Sequence, residues 1–206
     1  MAAPATSSMH DALVAEIHEF WFGALRAGFP VEDRQSRWFG GSTGVDAEIR
    51  ARFGGATEAA IDGGLEHWRT TARGAVALVL LLDQFARNIH RGSARAFAGD
   101  ARARSIARAV LAEPLQTVER VFMLLPFEHS ELLADQEFCV AEYDRLLETV
   151  YEAHRATIAG YRRFAAEHRE IIARFGRFPH RNRALGRADT AEEAAWLGAG
   201  GRRFGQ

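Results

Sequence analysis

The sequence feature that most constrains the fold is an uninterrupted apolar run at residues 75–82, followed at once by a polar cluster in LLDQFARNIH. Ala and Leu, which favour helices, dominate this run, and no sustained period-two alternation typical of strands occurs in the chain. A helix that is apolar on every side has to be enclosed by other helices. The run therefore predicts a central helix over about residues 75–89 of an all-α domain.

Helical periodicity predicts seven further helices around this centre. They cover about residues 8–23, 46–63, 96–112, 115–126, 127–149, 154–175 and 190–197. Ser8 with Asp11, and Thr190 with Glu193, match capping boxes, and Pro126 is expected to end the fifth helix of the chain. The prediction is one domain over residues 1–206, with residues 1–8 disordered and about eight helices arranged as antiparallel hairpins.

The clearest periodicity lies near the end of the chain. Apolar and aromatic residues alternate there at spacings of four and three, namely His154, Ile158, Tyr161, Ala165, His168, Ile172 and Phe175. This pattern predicts a buried seam that ends at Gly176. A histidine on such a seam is usually a core residue, and His168 is the better functional candidate of the two because it lies one turn from an arginine-rich segment.

Composition limits the classes of partner. The 26 basic residues, all Arg, and 27 acidic residues give a formal charge of -1, which argues against general binding of nucleic acid or membrane surfaces. Cys139 is the single cysteine, so no internal disulfide and no cysteine-based zinc cluster can form. The longest apolar run is far shorter than the ~20 residues that span a bilayer. We expect a cytoplasmic protein without a membrane segment.

The first of three polar clusters follows the apolar run and contains Asp83, Gln84, Arg87 and Asn88. A spacing of four places Asp83 above Arg87 and Gln84 above Asn88 on a helix that should be enclosed. Buried polar groups need partners. The cluster therefore predicts a structural salt bridge with an amide network, or a ligand site that uses Arg87 and Asn88.

The second cluster contains Glu128, His129, Glu131, Asp135 and Gln136. If the sixth helix starts at residue 127, the three carboxylates line one stripe near its N-terminus. The helix dipole or arginine partners can stabilise such a stripe. A divalent metal is a weaker alternative, because no histidine lies three or four residues away on that face. We expect no metal and no cofactor.

The third cluster is the segment RFGRFPHRNRALGR, which carries Arg174, Arg177, His180, Arg181 and Asn182. Its guanidinium groups alternate with aromatic residues that can anchor a turn-rich segment to the core. Such a segment is typical of a receptor for phosphate or carboxylate. The alternative is that these arginines pair with the acidic stripe of the second cluster.

Several segments together resemble one known family: EFWFG, LLDQFARNIHRGSARAFAGD, PFEHSELLADQE and RFGRFPHRN. They are similar to the bacterial family catalogued as domain of unknown function 924, over about residues 17–204. The resemblance implies a tetratricopeptide-like helical fold. It implies no reaction, substrate or cofactor.

Our hypothesis is that the three clusters converge on one polar pocket that binds a small anionic molecule. The predicted ligand-binding residues are Arg87, Asn88, Glu128, His129, Asp135, Gln136, His168, Arg174, Arg177, His180, Arg181 and Asn182. Asp83, Gln84 and Glu131 are expected to support them as a structural network. His129 and His180 are the candidates for moving a proton near neutral pH.

Two other functions stay open at the level of sequence. A stack of helix hairpins can present a concave groove to a protein or peptide partner. Alternatively, a hydrolase or transferase could use the same polar pocket with a bound metal.

Overall fold

The computed structural model describes the backbone of residues 4–204 and the side chains of residues 10–204. In this part of the chain the helices are α1 (Pro4–Phe22), α2 (Gln35–Phe39), α3 (Thr43–Ile61), α4 (residues 72–89), α5 (Asp100–Val110), α6 (Thr117–Glu128), α7 (Leu133–Thr149), α8 (Glu152–Phe175) and α9 (Ala191–Gly198). Single 3₁₀ turns connect some of them, at Glu66–Thr70, Ala94–Phe97 and Pro179–Arg181. The fold is all-α, as the periodicity predicted.

Helix α4 runs through the centre of the fold. Every residue from 74 to 87 is buried, and the helix packs against α1, α3, α5 and α6. Its middle, Leu80–Phe85, is a π-helical segment between the α-helical parts Ala72–Val79 and Ala86–Ile89, where the Ala86 N–H bonds to the Leu81 carbonyl five residues back. The prediction of an enclosed central helix is confirmed.

Helices α7 and α8 form the most extensive helix pair in the described chain. The periodic face of α8 is buried at Ile158, Ala165, His168 and Ile172. The helix ends at Gly176, which has φ of 68° and donates its N–H to the Ile172 carbonyl. The predicted seam and its glycine end are confirmed, whereas the tetratricopeptide-like arrangement stays a prediction.

The prediction that Pro126 ends a helix is wrong. Helix α6 continues to Glu128, and α7 begins only at Leu133 rather than at residue 127. A proline removes one backbone hydrogen bond from a helix, but residues 121–128 are all buried, so packing holds the last turn together. The chain reverses between the two helices, where the Ser130 hydroxyl donates to Asp135 at 2.8 Å.

Helix starts also differ from the prediction. Helix α1 begins at Pro4 and not after Ser8, so the predicted Ser8 capping box does not start it; residues 1–3 of the segment expected to be disordered lie outside the described residues. Helix α3 begins at residue 43, three positions before Asp46, and passes through Gly54 and Gly55. The capping box of Thr190 and Glu193 at α9 is confirmed.

A short antiparallel hairpin was not predicted. Strands β1 (Leu25–Arg26) and β2 (Phe29–Pro30) pair around Ala27 and Gly28, which have φ of 51° and 82°. Two positive φ values are what a tight hairpin turn requires, and Asn-Gly or Asp-Gly usually supplies them. The sequence does not predict this turn, because Ala27 stands at the first position where Asn or Asp is usual.

Candidate functional site

The candidate site is a cavity of about 650 Å³ between α2, α4, α6, α7, α8 and residues 202–204. Its lining comprises Gln35, Trp38, Phe39, Gly41, Gln84, Arg87, Asn88, Arg91, Leu125, Glu128, His129, Tyr143, Tyr161, Phe164, His168, Arg202, Arg203 and Phe204. A second cavity, of about 560 Å³, is lined by none of the residues predicted to form a site. The larger cavity therefore contains the chemistry to be explained.

Asp83 lies directly behind the polar side of this cavity, in the π-helical segment of α4, and is fully buried. It accepts a hydrogen bond from Gln84 at 2.6 Å and forms the ion pair with Arg87 that their spacing predicted, at 2.9 Å. Burial opposes ionisation, but Arg87 and His129 outweigh it and hold the pKa of Asp83 below its usual range. Asp83 is therefore a buried anion.

Arg87 is shared between two carboxylates. Besides the pair with Asp83, it donates two hydrogen bonds of 2.9 Å to the two oxygens of Asp100 at the start of α5. Arg181 approaches the same Asp100 at 3.8 Å and donates to the His129 carbonyl at 2.9 Å. Arg181 thereby ties the 3₁₀ turn of the arginine-rich segment to the end of α6 without lining the cavity.

His129, the residue that caps the end of α6, is held by Asp83. Its Nδ1 lies 2.8 and 3.0 Å from the two carboxylate oxygens. Burial lowers the pKa of His129, and Arg87 adds to this effect while Asp83 opposes it. Because a carboxylate accepts hydrogen bonds, the neutral ring carries its proton on Nδ1, and Nε2 is the unprotonated nitrogen.

Glu128 and His168 form a second buried polar contact, between the end of α6 and α8. The Glu128 carboxyl lies 3.3 Å from His168 Nδ1, which also contacts the Phe164 carbonyl at 2.8 Å. Burial, with repulsion from Asp83 and Glu167, raises the pKa of Glu128 to about 8. Burial also lowers the pKa of His168 well below its usual value. Both groups are therefore mainly uncharged at neutral pH.

The predicted single stripe of carboxylates does not exist, because helix α6 ends at Glu128 and the turn that follows separates its members. Glu131 lies in the turn and accepts hydrogen bonds from Arg187 at 2.7 and 2.9 Å. Asp135, on α7, pairs with Arg104 and Arg108 at 3.1 Å each.

Gln136 is the neighbouring member of that cluster and has a structural contact of its own. It donates to the backbone carbonyls of Glu128 and Ser130, at 2.6 and 2.7 Å. These two bonds fix the turn that carries His129. Gln136 does not line the cavity.

The arginine-rich segment also lies outside the cavity and is paired with acidic residues. Arg174 contacts Glu192, and Arg177 contacts Glu193, at 2.9 and 2.6 Å. These two partners belong to α9, whereas Arg187 at the end of the same segment pairs with Glu131 of the predicted stripe. Burial, helped by Arg181, lowers the pKa of His180 to about 3.

Asn182, also in the arginine-rich segment, is buried and donates to Asp189 at 2.7 Å. Its amide also reaches Glu193 at 3.3 Å, so it joins the ion pair of Arg177. The segment therefore fastens α9 to the end of α8.

The sequence did not predict the aromatic side of the cavity. Trp38 and Phe39 come from α2, Tyr143 from α7, Phe164 from α8 and Phe204 from the last described turn. The Phe204 ring stacks on His168 with centroids 3.6 Å apart. No local signal in the sequence indicates that residues 202–204 return to α8.

The comparison with known proteins decides the family. The model of a family described as bacterial protein of unknown function (DUF924) matches residues 17–201. The chain belongs to the DUF924 family. A solved structure of a protein of unknown function from Agrobacterium tumefaciens is 36% identical, with a TM-score of 0.72, and the match covers 91% of this chain and 97% of that one. No curated protein matches the chain.

The sequence motifs of this DUF924 member separate into two places. Five of the predicted ligand-binding residues line the cavity, namely Arg87, Asn88, Glu128, His129 and His168. The others lie outside it, namely Asp135, Gln136, Arg174, Arg177, His180, Arg181 and Asn182. The first two clusters thus meet at one cavity, whereas the third supports it from outside through Arg181.

Within residues 4–204, no three His, Cys, Asp or Glu side chains are grouped so that they could hold a metal ion. No helix in the same range is both long and apolar enough to cross a membrane.

Proposed function

We propose that the protein binds a small organic anion, carrying a carboxylate or phosphate, in the cavity between α4 and α8. The observation that carries this proposal is the charge of the lining. In the described part of the chain, four arginines line the cavity beside one carboxyl group, that of Glu128. Burial raises the pKa of Glu128 to about 8. At neutral pH the lining is therefore cationic, which favours an anionic occupant.

The positions of the counter-ions support the same proposal. Arg87 pairs with Asp83 and Asp100, Arg91 pairs with Asp46, and Arg202 pairs with Glu167. None of these acidic residues lines the cavity. An occupant thus meets the arginine side of each pair. The aromatic side of the cavity, which includes Trp38, Tyr143 and Phe164, suits an apolar or aromatic body on the same molecule.

A thermal-shift series with phosphorylated and carboxylated small molecules tests the proposal. Arg203 lines the cavity and is exposed, so Arg203→Gln removes a cavity charge without disturbing the core. Arg174→Gln is the matched control, because Arg174 is exposed, pairs with Glu192 and does not line the cavity. We expect stabilisation of the wild type by at least one anion, weaker in Arg203→Gln and unchanged in Arg174→Gln.

The absence of stabilisation by every anion in the series would overturn the proposal. Equal stabilisation of the Arg203→Gln and Arg174→Gln variants would place the binding site elsewhere.

A second candidate is a site for a peptide side chain, favoured by two exposed aromatic residues of the lining. Phe39 and Phe164 keep 51% and 42% of their surfaces exposed. Exposed aromatic residues beside a cavity are typical of a docking surface. Loss of binding to a stoichiometric protein partner in Phe39→Ser, with anion binding retained, would favour this function over the first.

A further inference from the structure

His129 turns its Nδ1 towards the buried Asp83, and its side chain lines the cavity. Its Nδ1 contacts both oxygens of Asp83, whose side chain is only 1% exposed, while the His129 side chain keeps 16% exposure and lines the cavity. Nε2 lies across the ring from Nδ1 and so points away from the buried carboxylate. Among the described residues, no hydrogen bond to Nε2 is found.

The protonation state of this ring is fixed by its partners. Asp83 is ionised beside Arg87 and accepts the Nδ1 proton, and burial lowers the pKa of His129, so a second proton is disfavoured. A neutral imidazole with its proton on Nδ1 has a bare lone pair on Nε2. The cavity therefore contains an oriented hydrogen-bond acceptor among arginines.

The backbone around His129 is also fixed, which keeps the acceptor in place. Arg181 donates to the His129 carbonyl at 2.9 Å, and Gln136 donates to the carbonyls on either side, of Glu128 and Ser130, at 2.6 and 2.7 Å. A group held by both its ring and its backbone loses little entropy when it binds a ligand.

A lone pair repels an anionic oxygen and attracts an O–H or N–H group. We propose that the ligand of this cavity is an organic acid that also carries a hydroxyl or amine donor, and that Nε2 of His129 accepts the hydrogen bond from this donor. This inference rests on the proposed function, since it names the class of anion that the cavity selects. His129 is then the specificity-determining residue, and Asp83 is the positioning residue that keeps its acceptor side towards the ligand.

Three matched acids test the inference on the wild-type protein by calorimetric titration. They are 3-phenyllactate, which has a hydroxyl donor, 2-methoxy-3-phenylpropionate, which has only an acceptor at that position, and 3-phenylpropionate, which has neither. One hydrogen bond to a buried acceptor corresponds to about a tenfold change in affinity. We expect 3-phenyllactate to bind at least about tenfold more tightly than the other two acids.

Two variants separate this role from a structural one, with the melting temperature of each as a check on folding. His129→Leu should bind the three acids with nearly equal affinity. Asp83→Asn presents an amide N–H to Nδ1, which moves the ring proton to Nε2 and turns the acceptor into a donor. In Asp83→Asn we therefore expect the methoxy acid to gain affinity relative to the unsubstituted acid, a change that loss of packing alone would not produce.

The outcomes distinguish the two proposals. Equal affinities of the three acids for the wild type overturn the hydroxyl inference and leave anion binding in place. Failure of all three acids to bind overturns the hydroxyl inference, and it overturns anion binding as well only when no anion of the thermal-shift series stabilises the protein. An unchanged preference for 3-phenyllactate in His129→Leu also overturns the inference, because another group would then accept the hydrogen bond.

Discussion

Arg87 and Asp100 form a two-pronged ion pair, in which each guanidinium nitrogen donates to a different carboxylate oxygen at 2.9 Å. Planar, parallel pairing of this kind is the strongest arrangement of arginine with a carboxylate. Asp100 also lies 3.8 Å from Arg181, so one carboxylate serves two guanidinium groups that are almost fully buried. The pair connects the central helix to α5 behind the cavity.

Asp100→Asn should therefore destabilise the protein by roughly 3 kcal/mol, the usual effect of removing one partner from a buried pair. The reason is that Arg87 and Arg181 would remain buried near each other with one anion fewer. Urea denaturation monitored by circular dichroism measures the change. The matched control is Asp144→Asn at the exposed pair with Arg162, for which a loss under about 1 kcal/mol is expected. Equal losses in the two variants would show that the shared carboxylate has no special role.

Glu128 should make stability fall with rising pH. Its pKa of about 8 in the folded protein is above the 4.5 of an unperturbed glutamate, so between these values the folded state keeps a proton that the unfolded chain has lost. The stabilisation is complete below the pKa that Glu128 has in the unfolded chain, and it is lost as pH rises through its pKa in the folded protein. The slope is at most about 1.4 kcal/mol per pH unit.

Glu128→Gln should remove this slope because an amide does not titrate. Urea midpoints of both proteins at pH 6, 7 and 8 provide the measurement, and the difference between them cancels the histidines that the two proteins share. A difference that does not change with pH would mean that Glu128 is ionised in the folded protein.

Tyr143→Phe should leave stability unchanged or raise it by up to roughly 1 kcal/mol, since it removes a buried hydroxyl that lacks a partner among the described residues. Anion binding should be unchanged in the same variant, because the Tyr143 hydroxyl is itself buried although the residue lines the cavity. Thermal unfolding with and without the stabilising anion measures both effects.

Tyr161→Phe is the control for this hydroxyl, because the Tyr161 oxygen accepts a hydrogen bond from Gln35 at 2.5 Å. Its loss should destabilise the protein by about 1 kcal/mol. A larger loss of stability in Tyr143→Phe than in Tyr161→Phe would contradict the assignment of a partnerless hydroxyl.

Gly176→Ala should destabilise the protein by about 1 kcal/mol, because φ at this position is 68° and an L-residue is strained there even though its Cβ would meet no atom within 4 Å. Gly160→Ala in the interior of α8 also meets no atom within 4 Å and needs no positive φ. It should stabilise the protein by roughly 0.5–1 kcal/mol. Thermal melts of both variants suffice, and effects of the same sign would refute the conformational argument.

Local periodicity predicted the parts of the fold in which burial follows helical spacing. The seam from Ile158 to Ile172 and the enclosed run before Asp83 are such parts, and both are buried as expected. The ion pair of Asp83 with Arg87 followed from the same spacing.

Helical spacing did not predict the boundary between α6 and α7. Pro126 was expected to end the helix. Burial of the apolar residues around it stabilises the helix by more than the loss of one backbone hydrogen bond destabilises it. The chain ends α6 two residues later, at Glu128, and this small shift divided the carboxylates among different elements.

The cavity itself depends on contacts between distant segments. Spacing along the chain says nothing about whether Tyr143, Phe164 and Phe204 meet. The arginine-rich segment resembles an anion receptor in sequence, but Arg174 and Arg177 pair with α9 and Arg187 pairs with Glu131. Charge density in sequence indicates where ion pairs form, but only the packed structure indicates which cations face an open space.

The direction in which the polar lining residues of α4 point depends on the π-helical segment that precedes them. A ring closed five residues back holds one residue more than an α-helical ring. If the same residues wound as a regular α-helix, the extra residue would rotate everything after Leu80–Phe85 by about 100° relative to Ala72–Val79. Arg87 and Asn88 would then turn away from the cavity, so the site depends on this one wide turn even though the helix would continue without it.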